Sequence, residues 1–150
     1  MAQLGEFALR SDSDVHANVV RELADALDAI ATAYTCRAGE ILFRLGESAS
    51  GVLVVRQGKV HLFALAQDVD PALPYRTAGP GYVLGLPALF SGEPYSLTAQ
   101  AVEDCVCGFV ERDRALEVVH KRVDLCFQAA DLLAREIRSL REWQAAHLGV

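Results

Sequence analysis

Three short runs of β-forming residues, Ile41-Leu-Phe43, Val52-Leu-Val-Val55 and Val60-His-Leu-Phe63, are cut apart by Gly46, Gly51 and Gly58. Runs this short do not make helices, and the glycines between them supply the backbone freedom of tight turns. Residues 41–65 are therefore predicted to form antiparallel strands. More β-structure is predicted around Tyr75–Thr77 and from Leu97 to Val110. The stretch Gln67–Pro74 is predicted to be a loop, because Pro71 and Pro74 suit neither a helix nor a central strand.

Helical patterns flank this β-region. Val15, Val19, Leu23, Leu27 and Ile30 recur at intervals of four or three, which predicts a helix over about Val15 to Tyr34. Asp12, Ser13 or Asp14 would cap it, leaving residues 1–14 as an arm. A short helix is predicted over Asp113–Val119, followed by a longer one carrying Val123, Cys126, Ala130, Leu133, Ile137 and Leu140. Those intervals alternate three and four, the seam of a two-stranded coiled coil, and the seam is read as a homodimer interface. Packing of the same helix on its own β-domain is the competing reading. Asp131, Arg135, Glu136, Arg138 and Glu142 are expected to form the solvated face.

Composition removes several classes of function. The net charge is −6, and the densest basic stretch, Arg135 to Arg141, alternates with Glu136 and apolar residues, so a direct nucleic-acid partner is not expected. No apolar run reaches the roughly 18 residues of a membrane span, and the N-terminus lacks a signal-peptide pattern. A cytoplasmic protein without a membrane partner is the expectation. Cys105 and Cys107, two apart in a predicted strand, would share one face and pack as small apolar groups. No metal and no cofactor are predicted, although haem ligation by His61 or a cysteine stays open, since axial ligands need little sequence context. His16, His61, His120 and His147 are scattered and no serine sits in a nucleophile elbow, so no catalytic residue is assigned and an enzyme is not expected.

The window Gly81 to Ala99 carries the functional question. Pro87-Ala-Leu-Phe90 is long enough for a single helical turn, with Pro87 at its start. Together with Ala38-Gly-Glu-Ile-Leu-Phe-Arg-Leu-Gly-Glu47, Val52-Leu-Val-Val-Arg-Gln-Gly-Lys-Val60 and Gly79-Pro-Gly-Tyr-Val-Leu-Gly85, it resembles the cyclic-nucleotide-binding domain of Crp/Fnr-type regulators. The resemblance runs from about residue 15 to 145. It implies a mixed α+β fold: an antiparallel β-roll of jelly-roll-like, double-stranded β-helix type at about 38–112. An N-terminal helix and C-terminal helices at about 113–147, the last for dimerisation, complete a domain of 15–150.

The family's phosphate cassette reads roughly Phe-Gly-Glu-x-x-Leu-Leu-x-Gly-x-x-Arg-Ser-Ala-Thr. Here it is Leu84-Gly-Leu-Pro-Ala-Leu-Phe-Ser-Gly-Glu-Pro-Tyr-Ser-Leu-Thr98. The resemblance places Leu86 where the ribose-binding glutamate would stand and Tyr95 where the phosphate-binding arginine would stand, and it keeps Ser96. Gly85, Leu86, Pro87, Ala88, Tyr95 and Ser96 are thus the candidate pocket, with Leu140 and Arg141 closing it from the long helix. A buried phosphate without its cation loses about 3–5 kcal/mol, and Pro87 removes one backbone N–H from the loop. The expected function is a stand-alone sensor domain that binds a small molecule other than a cyclic nucleotide. A ligand-free dimerisation or interaction module, and weak cyclic AMP or cyclic GMP binding, are the alternatives. Family regulators continue into a helix-turn-helix domain, whereas this chain stops at Val150 and no DNA reader is expected within it.

Overall fold

The computed structural model describes residues 21–64 and 73–148. The expected arm, the helix caps, Val15, Val19, His16 and most of the Gln67–Pro74 loop lie outside the described residues. A helix, α1, covers residues 21–28. It ends sooner than its apolar spacing predicts. Ile30 N–H donates to Leu27 and Ala31 N–H to Asp28, tightened bonds that close the last turn. Thr32–Cys36 then forms strand β1, paired antiparallel with a later strand. The β-branched and aromatic residues Thr32, Tyr34 and Thr35 favour that extended backbone over continuation of the helix.

The remaining strands are β2 (Ile41–Phe43), β3 (Gly51–Gln57), β4 (Val60–Phe63), β5 (Arg76–Ala78), β6 (Val83–Leu84), β7 (Thr98–Ala101) and β8 (Cys105–Glu111). Helix α2 (Leu86–Ser91) sits between β6 and β7, and α3 (Arg112–Lys121) and α4 (Val123–Leu148) close the chain. Two four-stranded antiparallel sheets result, in the orders β1-β8-β3-β6 and β2-β7-β4-β5. The glycine-separated runs are strands as expected. The two-residue strand β6, paired with Leu53 and Val54, is too short to announce itself in sequence.

Two cores explain the arrangement. Between the sheets lie Phe43, Leu53, Val55, Val60, Leu62, Leu84, Tyr95 and the thiols Cys36, Cys105 and Cys107. On the opposite face of the first sheet, Val52, Val54, Val83 and Val110 pack with Leu23 and Leu27 of α1, Leu86 and Leu89 of α2, and Leu125, Ala129 and Leu132 of α4. Strand β3 therefore alternates Val52 and Val54 outward with Leu53 and Val55 inward, each buried, as a strand covered on both faces must. Gly108 has a separate purpose. With no side chain there, the Asp28 carboxylate crosses β8 to meet Arg56 Nε at 2.7 Å, tying α1 to the roll.

Candidate functional site

The cassette folds into a cavity wall. Gly85 adopts a left-handed backbone, φ 89°, and caps α2, with Pro87 in the first turn. A Cβ at Gly85 would lie 3.1 Å from both the Tyr95 ring and the Gly51 carbonyl, so only glycine lets the loop come this close. Gly85, Pro87, Ala88, Tyr95 and Ser96 line the cavity together with Phe43, Leu62, Tyr82, Val83, Leu84, Leu97 and Glu136.

Little space remains inside it. The Tyr95 ring stacks on Phe43 with centroids 4.0 Å apart and planes 22° from parallel. Its hydroxyl donates to the Gly51 carbonyl at 2.8 Å and accepts a longer bond, 3.4 Å, from the Gly51 N–H. The backbone of Tyr95 is held as well, its N–H donating to Glu47 and its carbonyl accepting from Gly46. The cavity left is about 20 Å³, room for about one water. Leu86 contributes nothing to its wall: fully buried, it packs in the helical core with Leu125, Ala129 and Leu132.

Helix α4 approaches this mouth through Glu136, one helical turn ahead of the expected Leu140 and Arg141. Leu140 is half-buried and Arg141 exposed, and neither lines the cavity. Glu136 does not belong to a solvated face either. Tyr82 O–H donates to its carboxylate at 2.8 Å, and the Arg76 guanidinium donates to the Tyr82 hydroxyl at 3.4 Å and to Ser139 Oγ at 2.9 Å. Arg76 also lies over the Tyr75 ring, 5.3 Å from its centroid, and Trp143 meets that ring edge-on at 6.0 Å. Glu136, Ser139 and Trp143, at i, i+3 and i+7, thus share one helix face and latch it to β5 and the start of β6. Burial raises the Glu136 carboxyl above its ordinary value, although Tyr82 and Arg76 pull the other way. Burial also raises the Tyr82 phenol, and Glu136 adds to that.

The other face of α4 is bare. Val123, Phe127 and Ile137 are 66%, 72% and 42% exposed, and Ala130 and Ala134 between them are exposed as well. Of the predicted seam, Val123, Ala130 and Ile137 lie on this stripe, whereas Cys126 and Leu133 lean on the protein's own core. Phe127 and Ala134 complete the stripe and were not predicted for it. Their four-three alternation with Val123, Ala130 and Ile137 was the available signal. His61 lies on β4 with its ring edge-on to Phe63, outside the cavity wall. Among the described residues no three His, Cys, Asp or Glu side chains converge on a metal-sized position, and no helix is long and apolar enough to cross a membrane.

Fold and cassette together point to one domain family. The family model of the cyclic nucleotide-binding domain matches residues 35–122, and the chain belongs to that family. Its two antiparallel sheets and long C-terminal helix are the fold of that domain. Among solved structures, it is similar to the catabolite activator protein of Thermus thermophilus, with a TM-score of 0.71 and 24% identity over 85% of this chain and 59% of that one. The sensor domain of the transcriptional regulator DNR from Pseudomonas aeruginosa gives a TM-score of 0.61 at 21% identity, covering 86% of this chain and 91% of that one. A curated relative, patatin-like phospholipase domain-containing protein 7 of Rattus norvegicus, is 26% identical over 102 residues. The match takes in 68% of this chain and 8% of the phospholipase-domain protein.

Proposed function

We propose that this domain is a regulatory interaction module that works as a homodimer and whose inherited nucleotide site is closed by its own side chains. The observation carrying this reading is the Tyr95 ring. It stands at the cassette position where the resemblance puts an anion-binding arginine, and it stacks on Phe43 and bonds to Gly51. A cavity of about 20 Å³ cannot admit a nucleotide. The chemistry is also wrong for a phosphate, because Glu136 is the charged side chain on the cavity wall. A carboxylate beside a buried anion adds repulsion to the desolvation cost.

The α4 stripe supplies the dimer surface in this reading. Val123, Phe127, Ala130, Ala134 and Ile137 repeat at coiled-coil intervals, and two copies would bury them against each other. The catabolite activator protein and the sensor domain of a transcriptional regulator provide the precedent for a signalling role. Light scattering on the purified domain with and without cyclic AMP tests the proposal. A dimer of the same mass and thermal stability in both is expected. A nucleotide-dependent change in either would overturn it.

One observation favours a second reading, a sensor for a small apolar molecule. The cavity wall is mostly aliphatic and aromatic, with Tyr95, Ser96 and Glu136 as polar handles. Such a ligand would have to displace the Tyr95 ring from Phe43. A thermal-shift screen with aromatic acids and neutral aromatics tests it, since a ligand at a hundred times its Kd stabilises by about 2.7 kcal/mol.

A further inference from the structure

Cys36 on β1 and Cys105 on β8 are direct cross-strand partners in the antiparallel register. Opposed residues of such a pair have Cα atoms about 4.5–5.5 Å apart, inside the span a disulfide requires, and their side chains share one face of the sheet. Cys107, two residues further along β8, lies on that face opposite Tyr34. The cavity site described above uses none of these thiols.

Their surroundings differ from a sealed core. Cys36 and Cys105 line an open groove of about 400 Å³ at the end of the roll, together with Arg37, Glu40, Gln57 and Asp104. The groove gives a small polar oxidant a route to both sulfurs, although the thiols are only 4% and 2% exposed. Cys107, fully buried, does not border it. The two groove thiols also differ in their partners. Cys105 Sγ faces the carbonyls of Lys59 at 3.2 Å and Glu103 at 3.1 Å, and its single S–H proton donates to one of them at a time. Burial raises both thiols above their ordinary value, and hydrogen bonding, from the Tyr34 side chain at Cys36 and from backbone at Cys105, offsets part of that effect.

We propose that Cys36 and Cys105 form a reversible disulfide site that responds to hydrogen peroxide. Cys36 sulfur attacks the peroxide O–O bond, giving a sulfenic acid and releasing one water. Cys105 then attacks that sulfur, the S–S bond forms, and the hydroxyl leaves with the Cys105 proton as a second water. A dithiol reverses the bond by exchange. The bond would staple β1, the strand that follows α1, to the central β8.

The test is a peptide map of the wild-type domain after millimolar hydrogen peroxide, with remaining thiols alkylated before digestion. The expected result is a Cys36–Cys105 cross-linked peptide, an intact mass lower by two hydrogens, and recovery of both free thiols with dithiothreitol. Half-exposed Cys126 serves as the internal control for oxidation. The cross-link should persist in Cys107→Ala and disappear in both Cys36→Ala and Cys105→Ala. Full alkylation of Cys36 and Cys105 while Cys126 is oxidised would overturn the proposal, as would a cross-link from Cys36 to Cys107 instead. The wild-type map alone decides the matter should a variant fail to fold.

Discussion

The Tyr95 hydroxyl donates a 2.8 Å hydrogen bond to the carbonyl of Gly51, joining the cassette to the start of β3. The bond anchors a ring that is already stacked on Phe43. Tyr95→Phe keeps the stack and leaves the Gly51 carbonyl without this donor, so it should lower stability by about 1–3 kcal/mol. Tyr95→Ala removes the ring as well and should cost about 3–5 kcal/mol, in the range of buried aromatic truncations. Urea denaturation of the two variants checks both values. Equal losses would mean that the ring contributes no packing.

Tyr95→Arg restores the cassette cation but should not restore nucleotide binding. Leu86 packs in the helical core rather than on the cavity wall, where Glu136 remains. Isothermal titration of Tyr95→Arg with cyclic AMP should give no heat beyond dilution. Saturable binding would show that the arginine alone had been missing.

Glu136 sets a pH dependence. Its carboxyl is raised by burial, against the pull of Tyr82 and Arg76. A carboxyl whose folded pKa exceeds its unfolded value, about 4.3 for glutamate, binds more protons in the folded protein between the two values. The stability it gives is full below the unfolded pKa and is lost as pH rises through the folded one. Glu136→Gln has no such titration. Wild type should therefore lose stability relative to Glu136→Gln as mildly acidic buffer is brought toward neutrality, measured as urea midpoints at stepped pH. A difference that stays level, or grows in favour of wild type, would contradict the burial of this carboxylate.

The bare face of α4 lets the proposed association be tested apart from folding. Phe127→Glu should convert a dimer to a monomer in light scattering while shifting monomer stability by no more than about 0.5 kcal/mol, as exposed positions do. Leu132→Ala, on the packed face of the same helix, should instead cost about 2–5 kcal/mol. A dimer that survives Phe127→Glu together with Ile137→Glu would remove this stripe as the interface.

Sequence made the roll legible because glycines bracket its strands, and Ile41–Phe43, Gly51–Gln57 and Val60–Phe63 are strands. It hid β1, whose residues follow a strong helical spacing that ends only at Ile30. Helix α4 was half legible for a similar reason. It carries two apolar stripes, one inward through Leu125, Ala129 and Leu132 and one outward through Val123, Phe127 and Ile137, and spacing alone does not say which faces home. Glu136 was read as solvated because charged residues usually are. Its partners Tyr82 and Arg76 lie over 50 residues away in the chain, and only the fold brings them together.

The segment from β6 into α2 places neighbouring residues in opposite cores: Val83 and Leu86 on the helical side, Leu84 and Ala88 inside the roll. Like a seam sewn through two cloths, it leaves no plane along which the helices can peel from the sheets with both layers still folded. Loosening either side drags the other. The domain should melt in one cooperative step, and a strain introduced at the cassette should be felt at α4 without any ligand to carry it.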